Sequence, residues 1–262
     1  SKSTVRVSEV MRARVLAAAK SLGYIQNFAA RSLARKSTGL LGVFIQPHGS
    51  GGVGGHYEGR LLRGIERACT ESDYDILLVS IENPAEAFAH CEQRLREGRI
   101  DGLILVQTRP ADARLEKLKA ASEHLVLIGH PGDATGITAI GYDNAAAVEL
   151  ALDHLAKLGH RRVAFLGSCL AAPSIDSRLR QEAFAVSLRR RFALDPADWI
   201  HDASRLPAPL DRATDFTLLE GRWGADHFCQ RPPERRPSAF LAYNDEVAAA
   251  ALQRLLESGV PV

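Results

Sequence analysis

The sequence predicts an α/β protein of two similar lobes, each a parallel sheet with flanking helices, preceded by a short basic helical arm. Three observations carry this. From residue 40 onward, apolar runs short enough to be buried strands alternate with amphipathic stretches, in two successive sets. At 262 residues the chain exceeds one average domain. The charge is also uneven. The first forty residues hold eight Lys/Arg (Lys2, Arg6, Arg12, Arg14, Lys20, Arg31, Arg35 and Lys36) against Glu9 alone, a net +7, so the rest carries −5 of a chain total of +2. A basic end on a mildly acidic body is the charge pattern of a protein that docks one end on a polyanion.

Within the arm, Ser1-Lys2-Ser3-Thr4-Val5 has the composition of a helix tail, and Ser8 to Leu22 reads as a second helix. Ser8 is placed to cap an orphan amide, and Glu9 suits the positive end of the helix dipole. Met11, Val15, Ala18 and Leu22 recur at helical spacing, and Gly23 supplies the stop. The small-residue segment Ala29 to Arg35 then leads into the body as a hinge.

In the body, Leu40–Ile45, Ile76–Ile81, Ile100–Val106 and Leu125–Gly129 read as strands of the first set. Helices are expected at Tyr57–Glu71 (with Leu61, Leu62, Ile65 and Ala68 inward), Ala85–Glu97 and Asp112–Ala121. After Tyr142-Asp143-Asn144 the second set begins, with helices at Ala145–Leu158, Arg178–Phe192, Gly221–Cys229 and Glu246–Ser258. Its strands are Arg162–Gly167, a short one at Trp199–Ile200, and Ala239–Ala242. Right-handed βαβ units build parallel sheets of this kind, and ligands lie beyond the carboxyl ends of the strands. The arm at 1–38, a first lobe at 39–142 and a second at 143–262 are the expected units.

Composition narrows the function classes. Hydrophobic residues make up 46% and charged residues 24%, which argues against wholesale disorder. No apolar run reaches the ~18–20 residues that span a bilayer. No h-region follows the basic start, so a cytoplasmic location and no membrane partner are the expectation. Cys69, Cys91, Cys169 and Cys229 are far apart and form no C-x-x-C pair, as expected of reduced, packed thiols. The nine histidines show no metal-ligand spacing. Neither a metal nor a cofactor is expected.

Several fragments carry a resemblance, in order and over essentially the whole chain. They are Ser1–Val5, Arg6-Val7-Ser8-Glu9, Arg12 to Ala19, Leu22-Gly23-Tyr24, Ala29 to Leu33, Gly64-Ile65, Asp101-Gly102-Leu103-Ile104, Asp143-Asn144, Gly159 to Val163, and Tyr243-Asn244-Asp245. Together they resemble the lactose-repressor (LacI/GalR) family of bacterial transcription regulators. The resemblance implies a two-lobed, periplasmic-binding-protein-like effector domain behind an incomplete helix-turn-helix head and a hinge helix. It also implies a non-enzymatic regulator, a repressor by expectation, whose affinity for a near-palindromic operator is set by a small molecule such as a sugar. Self-association as a homodimer comes with it, with a tetramer as the alternative. Relative to the family pattern, the first helix of the head, a stretch between Val5 and Arg6, and the segment after Val262 are missing, so the sequence is expected to be incomplete there.

By position, the resemblance places Ser1 and Thr4 on phosphates and Lys2 and Ser3 at base edges. Asn27 falls on the DNA backbone. Ala30, Arg31 and Leu33 fall in the minor groove, with Leu33 as a wedge between base pairs. Arg178 matches the effector-binding arginine, a planar fork suited to carboxylates or sugar hydroxyls. His130, Tyr57 and Ser174 match other cleft positions. Asn244 and Asp245 end a strand facing the cleft, or equally cap the helix that follows.

Two rivals come from other classes. Gly49-Ser50-Gly51-Gly52-Val53-Gly54 formally matches G-x-G-x-x-G, with Glu82 near the place of a ribose-binding acid, as in a nicotinamide-dependent oxidoreductase. Pro47-His48 loosen the tight turn that motif needs, and the basic arm would have no role. A periplasmic-type sugar-binding protein shares the two-lobed body but not residues 1–40.

Overall fold

The computed structural model describes residues 7–25, 27–45, 56–79, 81, 83–106, 114–130, 136–168, 174–201 and 216–262. Ser1 to Thr4, the glycine loop 49–55, Glu82 and Cys169 lie outside them. The arm forms two helices, α1 (Glu9–Ser21) and α2 (Phe28–Arg35). Ser8 caps α1 through a 3.3 Å bond from the Met11 amide, and Gly23 takes the left-handed conformation (φ 63°) just beyond its end. No residue of either helix is buried, so the stripe Met11, Val15, Ala18 and Leu22 packs on nothing among the described residues.

The first lobe is a five-stranded parallel sheet in the order β2-β1-β3-β4-β5. Its strands are β1 (Leu40–Ile45), β2 (Asp75–Val79), β3 (Gly102–Val106), β4 (Leu125–Ile128) and β5 (Thr138–Ile140). Helices α3 (His56–Glu71), α4 (Pro84–Arg96) and α5 (Arg114–Ala121) cover it. Because successive side chains alternate in direction, β1 feeds two cores. Val43 and Ile45 meet Ile65 and Cys69 of α3, while Phe44 meets Ala87, Phe88 and Cys91 of α4, with the Phe44 and Phe88 rings edge-on at 5.2 Å. Both faces being covered explains the uninterrupted apolar runs. On α3 the inward residue is Cys69 rather than the expected Ala68, which is exposed. Strand β5 was not anticipated. Its three residues are all exposed, so no apolar run marks it, and only its ladder to β4 defines it.

The second set begins with α6 (Asn144–Lys157). Then follow β6 (Val163–Leu166), α7 (Ile175–Phe192), α8 (Pro196–Trp199), α9 (Phe216–Cys229), β7 (Ala239–Ala242) and α10 (Asp245–Glu257). β6 is buried at every residue and pairs in parallel with β7. Phe165 and Phe184 at 5.0 Å, with Leu152, Leu188 and Phe228, centre the core. Gly221 lets α9 approach α10 closely, since a Cβ there would sit 2.4 Å from the Val247 carbonyl oxygen. The short strand expected at Trp199–Ile200 reduces to one bridge between Ile200 and Phe165. Trp199 instead ends α8, whose start is set by an Asp195 cap and Pro196 in the first turn. Glu149 on α6 accepts from Ser187, Arg190 and Arg191 of α7, fastening the two helices. The Ser187 bond holds the Glu149 carboxyl below its ordinary range, burial opposes this, and the Arg191 and Arg190 guanidiniums add to the lowering.

Candidate functional site: the interlobe cleft and the hinge helix

The carboxyl ends of both sheets converge where the chain passes between lobes, along Gly141-Tyr142-Asp143. On the first-lobe side, β4 ends at Gly129-His130, and the first turn of α3 carries Tyr57. On the second-lobe side stand the first two turns of α7 and the residues after β6 and β7.

A run of hydrogen bonds joins the two sides. Arg180 on α7 donates through Nη1 to the Tyr243 carbonyl (2.6 Å) just after β7, and through Nε to Asn144 Oδ1 (2.8 Å) at the start of α6. Asn144 Nδ2 in turn donates to Asp176 Oδ1 (2.6 Å). Asp176 Oδ2 faces the backbone N–H of His130 at 3.4 Å, which carries the run into the first lobe. Asn144 is almost fully buried, so an acceptor and a donor for its amide are both required, and Arg180 and Asp176 supply them. Beside this run, the Tyr57 and Tyr142 hydroxyls lie 3.3 Å apart. Burial first, then the Tyr142 hydrogen bond and the nearby charges of Tyr142, Asp176 and Glu58, push the Tyr57 phenol well up, so it works as a neutral hydroxyl. Deeper in the second lobe, buried Glu220 accepts from Tyr243 Oη (2.8 Å) and Ser168 Oγ (3.2 Å).

The residues singled out by sequence fall unevenly on this frame. Tyr57 and the His130 backbone belong to it. Ser174 caps α7 through the Ser177 amide (3.2 Å). Asn244 caps α10 through the Val247 amide (2.8 Å), and Asp245 is exposed in the first turn of that helix. Arg178 points to the outside of α7, half-exposed and 3.6 Å from Glu182. Two residues apart on a helix is about 200° of rotation, so Arg178 and Arg180 stand on nearly opposite faces. Arg180, Asp176 and Glu220 escaped the sequence reading. The spacing of Asp176 and Arg180, one helical turn, was the available signal.

On the arm, Asn27 caps α2 through the Ala30 amide (3.2 Å). Leu33 is 83% exposed, and Ala30 is exposed beside it. The Arg31 guanidinium lies 5.7 Å from the centre of the Phe28 ring. Cys69 and Cys91 are buried, and burial pushes the Cys91 thiol up to about 11, as for an inert packed thiol. No helix among the described residues is long and apolar enough to cross a membrane.

A two-lobed parallel α/β body with its polar residues at the crossover is the architecture of the periplasmic-binding-protein class, and the exposed helical arm is additional to it. Residues 57–185 match the model for periplasmic binding proteins and the sugar binding domain of the LacI family, and residues 152–262 match a periplasmic binding protein-like domain. The chain is 26% identical to the ribose operon repressor of Escherichia coli over 259 residues, 98% of this chain and 72% of the repressor. It is 29% identical to the HTH-type transcriptional regulator PtxS of Pseudomonas putida over 254 residues, 97% of this chain and 68% of PtxS. A LacI transcriptional regulator from a Rhodococcus species has a similar structure (TM-score 0.63, 25% identity, 85% and 74% of the two chains). The lac repressor dimer bound to operator and the anti-inducer ONPF shares the fold (TM-score 0.74, 23% identity, 98% and 72%). The chain is thus similar, over nearly its whole length, to transcription regulators of the LacI family.

Proposed function

We propose that the protein is a repressor that binds a near-palindromic operator as a homodimer, and that a small hydroxylated molecule between its lobes sets its operator affinity. The observation that carries this is the bonded run from Tyr243 through Arg180, Asn144 and Asp176 to His130. It places charged and amide groups from both lobes in one polar seam, which a hydroxyl-rich ligand would engage and which therefore reports lobe position. Regulators sharing this fold have been solved with sucrose, glucose and cellobiose. In this reading Arg180, Asp176, Asn144 and Tyr57 face the effector. Arg178 has an outer role, and Ser174 and Asn244 order the helix starts that frame the cleft. Leu33, Ala30 and Arg31 meet DNA, with Ser1 to Thr4 and Asn27 contributing as the resemblance implies. That its relatives are transcriptional regulators supports a non-enzymatic, cytoplasmic role.

Self-association completes the reading, because one hinge helix covers little DNA and two-fold symmetry matches a palindrome. The inward faces of α3 and α4 are used in the first-lobe core, so a dimer would use their outer faces. The test is a thermal-shift screen of neutral sugars, sugar acids and purines on the full-length protein, followed by gel-shift assays with duplexes selected from a random library. A bound effector raises the unfolding midpoint by mass action. No selected duplex, together with no stabilising ligand, would refute the proposal.

A further inference from the structure

Among the described residues, the motif Asp101-Gly102-Leu103-Ile104 makes no bond in the cleft, yet its carboxylate accepts four hydrogen bonds beside the arm. Asp101 Oδ2 accepts from Ser37 Oγ (2.6 Å) and the Gly39 N–H (2.8 Å). Oδ1 accepts from the Thr38 N–H (2.8 Å) and Thr38 Oγ1 (2.9 Å). Burial raises the Asp101 pKa, but these bonds from Ser37, Thr38 and Gly39 outweigh it and hold the carboxyl below its ordinary range.

All three donors precede β1, which starts at Leu40 and is already fixed by parallel ladders to β2 and β3. The clamp therefore acts on what lies upstream. Helix α2 ends at Lys36 in the left-handed conformation (φ 57°), its N–H on the Ser32 carbonyl, and the Ser37 N–H reaches the same carbonyl at 3.3 Å. One residue separates the helix from the first clamped side chain, so no free linker lies between them. Gly39 turns the chain with φ 69°, and its carbonyl accepts the Asp75 N–H at 2.8 Å, making the clamp continuous with the sheet. Elsewhere α2 stands off the lobe across a polar recess of about 350 Å³ lined by Arg31, Arg35, Thr70 and Asp73 among others. The Arg35–Asp73 pair spans it at 3.5 Å, but both side chains are well exposed, so it holds the helix weakly.

We infer that Asp101 is the positioning residue that fixes the direction of hinge helix α2 on the first lobe, so that lobe movement reaches Leu33 through this carboxylate. The inference rests on the reading of α2 as a DNA-contacting hinge. A rigid joint makes the hinge follow the lobe; a loosened one lets α2 swing and makes its placement in the groove cost ordering entropy. An asparagine here would set an amide N–H against the Gly39 N–H and Ser37 hydroxyl, or against the Thr38 donors if flipped.

The test compares full-length wild type, Asp101→Asn and the double variant Ser37→Ala/Thr38→Val, which keeps the carboxylate. Each is titrated with a duplex that wild type selects from a randomised library and with its scrambled counterpart, at one salt concentration. For Asp101→Asn, affinity for the selected duplex should fall about tenfold or more, the scale of a lost coupling. Affinity for the scrambled duplex, set by charge, should stay within about twofold. The double variant should lose less in the same direction. A role limited to folding would lower both affinities and leave their ratio unchanged. If both variants keep the wild-type ratio, the inference is overturned, and if Asp101→Asn does not fold, the double variant alone decides. Failure of wild type to select any duplex would instead remove the regulator reading itself, and the inference with it.

Discussion

Replacing Arg180 by methionine keeps an unbranched stem and removes the guanidinium with its donors. The Tyr243 carbonyl and Asn144 Oδ1 then lose partners at 2.6 and 2.8 Å, both held by a guanidinium. Hydrogen bonds to a charged group contribute roughly 1.5–3 kcal/mol each, and partial exposure of Arg180 lets water recover some of that, leaving a loss of about 2–4 kcal/mol. At roughly 2–4 °C per kcal/mol for a chain of this size, the unfolding midpoint should fall by about 4–16 °C. Arg178→Met is the control. Its partner Glu182 is 3.6 Å away and exposed, and such pairs contribute about 0–1 kcal/mol, so the midpoint should move by roughly 4 °C or less. Both midpoints come from calorimetry on the unliganded protein. The same variants are then titrated with whichever sugar, sugar acid or purine most stabilises wild type. Arg180→Met should abolish that stabilisation and Arg178→Met should preserve it. The reverse pattern would refute the assignment, because it would mean that the arginine on the outer face of α7 holds the ligand.

Three further outcomes are expected. With eight Lys/Arg in the first forty residues, affinity for any duplex should fall steeply as salt rises, and a flat response in filter binding would refute DNA docking by the arm. Leu33→Ala removes an apolar side chain that is 83% exposed, so the folded protein should keep its unfolding midpoint while losing specific operator affinity in gel shifts; an unchanged affinity would remove the wedge role. Asp101 and Glu149 both have depressed carboxyl pKa values in the folded chain, so their contribution is complete above the unfolded value of about 4 and is lost as pH falls through the lower folded values. Midpoints measured from neutral pH downward should therefore drop in the acid range, and Asp101→Asn should shrink part of that drop; a rise on acidification would reverse the sign of the argument.

The fold was legible wherever burial was two-sided or a cap was chemical. Leu40–Ile45 and Val163–Leu166 read as strands because sheets covered on both faces leave no polar alternation. Ser8 and Gly23 bounded α1 because hydroxyl capping and left-handed backbone are properties of single residues. What escaped lacks that local signature. Thr138–Ile140 is a strand through its ladder alone, with every residue exposed. Trp199–Ile200 has strand composition, but Asp195 and Pro196 start a helical turn that takes Trp199.

The site was less legible, for a geometric reason that the two arginines make plain. Arg178 and Arg180 have the same chemistry and near-identical sequence surroundings, and either satisfies a motif that asks for an arginine near a helix start. Which one faces the cleft depends on the phase of α7, and that phase is set by distant residues. Phe184 and Leu188 turn inward into the core with Phe165 of β6, one and two turns after Arg180, which leaves Arg180 beside Asn144 and sends Arg178 outward to Glu182. Asp176 follows the same logic, one turn before Arg180 and on the same side, its carboxylate aimed at the first lobe. Core packing in the second lobe therefore decides which polar side chains enter the seam. A core substitution that rotated α7, such as the overpacked Leu188→Phe, would disturb ligand recognition without touching a ligand-facing residue.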